Sequence, residues 1–382
     1  MSYSRPTVSI VIKALNEERH VAAAIGSALA ALDGIAGEVI LADSCSTDRT
    51  VAIAGRYPIK IVSLARIEDR SCGAGVQLGY QYSAGRYVYL MDGDMVLRKD
   101  FLPAAVRFLE SNPQFAGVGG LIVERETQNF EYVKRATADD VDRRPGEVTR
   151  LDCGGLYRRE AIAATGYFGD RNLHSIEELE LGVRLGAMGW KLARIDVPAI
   201  DHYGHSGNAY SMLLRRWETG FAFGPGEILR AAMGRGRFWR TLTRLRREVA
   251  LLAAVHLWWL CLIMAPLVLE GPIAAAVTAA MLTLLPFAVM SVRCRSVGLG
   301  VYSVAAWNVY AAGLWPGLLH ARVDPSAWID SVVVRDAASG KAATAAPVHG
   351  TSHLNPVVRR SGANTTHLAG DGDAISREQE RT

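Results

Sequence analysis

Apolar and polar positions follow two regimes along the chain. Up to about residue 248, short apolar runs alternate with amphipathic stretches. From 249 to 319 the apolar positions are almost continuous, with Glu270, Arg293 and Arg295 as the only acidic, lysine or arginine residues. In the first regime Val8-Ser9-Ile10-Val11-Ile12 and residues 38–42, 59–62 and 87–91 are short runs rich in β-branched or aromatic side chains, the signature of buried strands. Asn16-Glu17-Glu18 is predicted to open a helix with apolar positions Val21, Ile25, Ala28, Leu29 and Leu32, and residues 50–56 and 73–83 suit two more. Strands alternating with helices predict parallel βαβ units and an α/β fold. Residues 117–123 continue as a strand, and 158–165 and 176–188 as helices.

The second regime divides into spans 249–269, 273–292 and 299–319, each near the roughly 20 residues that cross a bilayer as a helix. The third contains Asn308, Gly313, Trp315, Pro316 and Gly317, and reads as crossing, re-entrant or interfacial. The expected plan is therefore a catalytic domain over 1–229, a basic juxtamembrane segment over 230–248, two or three membrane helices over 249–320, and a disordered tail over 336–382. That tail is rich in Ala, Gly, Ser, Thr and charge.

Composition sharpens this plan. Half of the 382 residues are hydrophobic, and the excess sits in the second regime. A net charge of +4 says little by itself. Its distribution says more: Arg230, Arg235, Arg237, Arg240, Arg244, Arg246 and Arg247 form one stretch without an acid. Abutting the first apolar span, this stretch suits an anionic membrane surface rather than nucleic acid. By the positive-inside rule it puts the catalytic domain in the cytoplasm, at the inner or plasma membrane. The five cysteines are odd in number and form no CxxC pair, so a reduced compartment without zinc or disulfides is expected. The first residues lack the apolar core of a signal peptide.

Ligands of parallel sheets bind beyond the carboxyl ends of the strands, where Asp43 and Asp92 both fall. Asp92-Gly93-Asp94 is placed to hold Mg²⁺ or Mn²⁺, which prefer oxygen ligands shared with substrate phosphates. Asp43 is placed to accept from a uracil imide, with Ser46 and Asp48 fixing the loop; an Asx turn capping the next helix is the other reading. Asn16 and Glu18 read either as a helix start or as a nucleoside wall. Glu177, Glu178 and Glu180 open a predicted helix. Glu180 and Arg184 are four apart and suit a surface ion pair, while Glu177 and Glu178 lie where the helix dipole favours anions.

In this order the motifs resemble family 2 glycosyltransferases, over roughly residues 6–220. Val8 to Glu18 resembles their opening, Asp43 to Asp48 their second motif, Asp92-Gly93-Asp94 their DxD, and Glu177-Glu178 their Glu-Asp motif. The resemblance implies a GT-A fold with a Rossmann-like, mostly parallel central sheet, a nucleotide-sugar donor, UDP by preference, and a divalent metal. It assigns Glu178 as the base, one methylene longer than the usual Asp, with Glu177 and Glu180 as alternatives. Lys13 replaces a frequent proline, a change expected to matter little; Ser44 and Cys45 replace the usual acidic and small residues. Arg70 falls where the family flanks the donor diphosphate, with an exposed helix-end arginine as the alternative. Gly154 and Gly155 fall in the acceptor-lining segment, with a tight turn as the alternative. His205 is the expected third metal ligand and His202 its alternative. Arg216 and Trp217 match the end of the QxxRW motif of processive synthases, while Leu213 replaces its glutamine. Transfer of single sugars to a lipid-linked or envelope-glycan acceptor is therefore expected. A polyprenyl-phosphate acceptor, a nucleotidyltransferase and a silent membrane scaffold with the same fold are the other readings.

Overall fold

The computed structural model describes residues 7–125, 130, 141–152, 154–204 and 207–336. Strands β1 (Val8–Ala14), β2 (Gly37–Asp43), β3 (Lys60–Leu64) and β4 (Tyr87–Asp92) form a parallel core in the order β3-β2-β1-β4. Their apolar runs are buried on both faces, since helices cover each side. Helices Val21–Ala31 and Phe101–Ser111 pack on one face and Cys72–Gln81 on the other.

Beyond β4 the sheet turns mixed. β5 (Met95–Leu97), β6 (Phe115–Glu124), β7 (Gly146–Val148), β8 (Gly155–Arg158) and β9 (Lys191–His202) continue it in the order β4-β8-β6-β9-β5, with β7 also on β9. β8 runs antiparallel to both β4 and β6, whereas β6 and β9 are parallel. The periodicity foretold the parallel core and, of this flank, β6, but not the flank's other strands or their order, whose partners lie far apart in sequence.

Register places the chemistry. β1 lies between β2 and β4, with Ala14 opposite Asp43 and Lys13 opposite Asp92. β5 pairs antiparallel with β9, Met95 opposite His202, and so lays His202 beside the Asp92-Gly93-Asp94 turn. The helix expected to open at Asn16 begins instead at Val21. Asn16 sits in the left-handed region at φ 58, which breaks a helix there.

The apolar regime forms three helices, Arg246–Val268, Pro272–Arg293 and Val297–Leu319, each long and apolar enough to cross a membrane. The chain then returns to the α/β sheet, where β10 (Ser331–Arg335) pairs antiparallel with β3 and becomes the edge strand. The tail 337–382 lies outside the described residues.

Candidate active site

A cavity of about 1190 Å³ opens at the carboxyl ends of the parallel strands. Lys13, Glu17, Ser44, Asp92 and Asp94 line its sheet side, and Glu177 and Glu178 face them from the opposite wall. Helix Glu177–Ala187 begins after Ile176, whose φ of 57 is a left-handed conformation rare for a β-branched residue. That turn starts the helix at the cavity, with three acidic residues in its first turn.

The three glutamates have different surroundings. Glu180 is buried, not a surface residue as expected: its carboxylate accepts from Arg184 Nε at 2.8 and 2.9 Å and from Tyr167 Oη at 3.0 Å. Arg184 also donates to the carbonyls of Tyr167 and Phe168, so the pair ties the helix to the preceding loop. Glu177 is gripped by Lys13, Nζ to Oε1 at 2.6 Å. Glu178 is 3.9 Å from the same nitrogen and keeps 19% of its side chain exposed to the cavity. Burial, reinforced by Glu177, pushes the Glu178 carboxyl up to about 8.

Lys13 is therefore not the neutral replacement expected from sequence. It bridges Glu177 and Asp92, the latter at 3.1 Å. Burial alone would lower its pKa, but Asp92, Glu177 and Glu178 outweigh that and hold the ammonium well above its ordinary range.

The acidic floor fits a divalent cation. Glu17 is pushed up to about 8 by burial and by Asp94 and Asp92, and Asp92 is raised by burial and by Asp94 and Glu177 against the opposing pull of Lys13. Carboxylates that disfavour one another's charge in a cleft are the donor set a hard cation relieves. His202 Nε2 lies 3.4 Å from Asp94 Oδ2, while its Nδ1 meets Glu124 at 2.5 Å. A carboxylate on one ring nitrogen with the other turned to the acidic pair is how metal-ligating histidines are oriented. Burial would lower the His202 pKa, but hydrogen bonds to Asp94 and Glu124 raise it to about 9, so a cation bound at Nε2 would have to displace a proton from the ring. His205 lies outside the described residues.

The expected donor residues form a knitted wall behind the cavity surface. Asp43 is buried and accepts from Ser46 N–H at 3.2 Å and Ser63 Oγ at 2.7 Å, the Asx-turn arrangement. Ser46 Oγ accepts from Asn16 N–H, and Asn16 Oδ1 accepts from Thr47 N–H. Asp48 accepts from Thr50 and from Glu18 N–H, while the Glu18 carboxylate meets Arg49 at the surface. Arg70 is neither exposed nor free. Its guanidinium donates to the carbonyls of Ser44 (2.7 Å) and Cys45, pinning the loop after β2, and it reaches the cavity wall. Arg66 pairs with Asp69 at the surface.

On the acceptor side, Gly154 and Gly155 serve backbone packing rather than lining the cavity. Gly154 has φ +104, and a Cβ there would stand 2.9 Å from Tyr89 Oη. Arg216 lines the cavity and donates to Tyr310 Oη at 3.1 Å. Trp217 lies off the cavity lining, edge-on to Phe223 with centroids 5.2 Å apart. Leu213 is buried with Ala209, Tyr302 and Ala306, so an apolar contact occupies the place of the synthase glutamine.

The parallel-core sheet has a DxD turn at its carboxyl edge, faced by a helix that carries an open carboxylate, and it has the GT-A fold. Residues 9–166 match the model described as Glycosyl transferase family 2. It is 33% identical over 100 residues to the succinoglycan biosynthesis protein ExoO of Rhizobium meliloti (strain 1021), which covers 25% of this chain and 28% of that protein. It is 28% identical over 179 residues to the poly(ribitol-phosphate) beta-N-acetylglucosaminyltransferase TarS of Staphylococcus aureus (strain Mu50 / ATCC 700699), 45% of this chain and 30% of that protein. The matches thus span under a third of either relative's length. Among solved structures, the mannosyltransferase PcManGT from Pyrobaculum calidifontis in complex with GDP-Man and Mn²⁺ shares the fold, with a TM-score of 0.55 at 17% identity over 83% of this chain and 88% of that one.

Proposed function

We propose that the chain transfers a sugar, with inversion, from a nucleotide-sugar to a hydroxyl of a lipid-linked or envelope-glycan acceptor at the membrane. The observation that carries this is the reach of one cavity. It joins Asp92, Asp94 and Glu178 to Leu251 and Leu252 of the first apolar helix and to Trp307 and Tyr310 of the third. In this reading Asp92 and Asp94, with His202, hold Mg²⁺ or Mn²⁺, which when bound neutralises charge on the departing diphosphate. Lys13 bridges Glu177 and Asp92 and holds both in position. Glu178 takes the proton from the acceptor hydroxyl, whose oxygen attacks the anomeric carbon opposite the diphosphate. UDP follows from the family resemblance; the solved mannosyltransferase holds GDP-Man, so uridine and guanosine donors belong in one panel.

Arg215 and Arg216 on the acceptor side of the same cavity favour a second reading, a polyprenyl-phosphate acceptor. A phosphate oxygen needs no base, so the two readings part at Glu178. Transfer to synthetic lipid phosphate and to a lipid-linked glycan, each with wild type and Glu178→Gln, separates them. Loss of transfer in the variant with donor binding intact supports the hydroxyl acceptor; undiminished transfer to lipid phosphate replaces it with the second reading.

A further inference from the structure

The three apolar helices are not equivalent. Both flanks of the apolar regime are fastened to the catalytic domain. Leu245, just before the first helix, is buried with Leu173, Leu179 and Ile228. After the third helix, His320 meets Glu227, Arg322 pairs with buried Asp170, and Val323 and Asn172 exchange hydrogen bonds. Ile329 does the same with Gln81, and β10 completes the sheet beside β3. A chain that leaves a domain and rejoins that domain's sheet crosses a bilayer an even number of times. Three helices therefore cannot all cross.

The odd helix out is Val297–Leu319. Of its most apolar window 39% is buried, against 17% and 6% for the other two. It keeps contact with the catalytic domain along its length. Tyr302 and Ala306 pack on Ala209 and Leu213; a Cβ on Gly313 would stand 2.4 Å from the Ala222 carbonyl, and one on Gly317 2.2 Å from that of Phe223. From Tyr302 to Gly317 a helix rises roughly 22 Å, most of the roughly 30 Å hydrocarbon core. A segment held against a water-facing domain over that length does not traverse the core. The other two helices form a hairpin through Trp258 Nε1 and the Leu282 carbonyl at 2.9 Å, and expose apolar side chains from Leu257 to Val292.

We infer that only the Arg246–Val268 and Pro272–Arg293 hairpin crosses the bilayer, and that Val297–Leu319 stays in the leaflet on the catalytic side. There it forms the membrane-facing wall of the acceptor end of the cavity. Trp307 and Tyr310 line that wall, and Tyr310 steadies Arg216. The partner this surface fits is the leaflet itself. Trp239, 74% exposed, sits among the exposed Arg235, Arg240 and Arg244, as an anchor at an anionic interface would. A lipid-borne acceptor then enters sideways from the leaflet. The inference rests on the membrane reading above and is independent of the sugar chemistry.

Single cysteines at Lys99, Glu270, Val297 and Ala327, in a background with the native cysteines replaced, test it in right-side-out and inverted membrane vesicles labelled with a membrane-impermeant maleimide. All four sites are exposed. Lys99→Cys marks the catalytic face. Val297→Cys and Ala327→Cys are expected to label from that same face, and Glu270→Cys only from the other. Labelling of Ala327→Cys with Glu270→Cys means three crossings and overturns the inference. Labelling of all four from one face overturns the crossing hairpin and the membrane-spanning reading with it. Neither outcome bears on donor turnover, which is measured separately.

Discussion

Glu177 and Glu178 are neighbours in sequence, and one lysine separates their roles. Lys13 reaches Glu177 at 2.6 Å and Glu178 only at 3.9 Å, so the first is neutralised in place and the second remains open to substrate. A base must be ionised to act. With its pKa near 8, the Glu178 carboxylate fraction grows as pH rises, so kcat/KM at saturating metal is expected to climb towards pH 8 and then level. Glu178→Gln should lose that rising limb and about 10²–10⁴ of the rate, with donor affinity unchanged by calorimetry. Lys13→Met should act differently, since it strands two carboxylates. Breaking a buried pair costs about 3–5 kcal/mol, a large drop in thermal midpoint in detergent, and Lys13→Arg should recover much of it. The sign is fixed by the raised pKa of Lys13: its contribution is whole below the ordinary lysine value and is lost only as pH rises through the still higher folded value. At neutral pH the full effect is therefore expected. The acidic pair and Glu178 were legible as motifs. Lys13 was misread, because its role depends on the register that sets it opposite Asp92, and a cross-strand partner 79 positions away leaves no local pattern.

At the scale of elements, legibility followed locality. The four parallel strands and the helices between them were visible because burial on both faces forces continuous apolar runs and amphipathic covers. β5, three residues long, carried no such run, yet its pairing with β9 brings His202 to Asp94. β10 was likewise missed, being a short strand after a membrane regime. In the third apolar helix, Gly313 and Gly317 read from sequence as signs of a poor span, whereas the structure uses them for contact. With no Cβ, they let the backbone settle on the carbonyls of Ala222 and Phe223, as small residues do where helices meet in membranes. Gly317→Leu should unseat that helix, costing at least about 1–3 kcal/mol by overpacking and exposing the 320–335 segment to protease. Val297→Leu, at an exposed position of the same helix, should leave the thermal midpoint unchanged. Equal effects of the two would remove the contact from the account.

At the scale of the molecule, an acidic centre and the first and third long apolar helices share one cavity. In the proposed function that continuity is what suits the cavity to a lipid-borne acceptor. Removing divalent metal with EDTA should abolish turnover and leave the fold intact by circular dichroism, because the sheet and its cores do not depend on the acidic floor. The central claim, that Asp92, Asp94 and Glu178 form a working sugar-transfer centre, is tested most directly by nucleoside diphosphate release. Detergent-purified full chain would be given a panel of uridine and guanosine sugar nucleotides with lipid-linked acceptor, with Mn²⁺ or EDTA, beside Asp94→Asn and Glu178→Gln. Release from one donor that needs metal and Asp94, and that acceptor stimulates only when Glu178 is present, is the expected result. Folded protein that neither binds nor turns over any donor in the panel would contradict it.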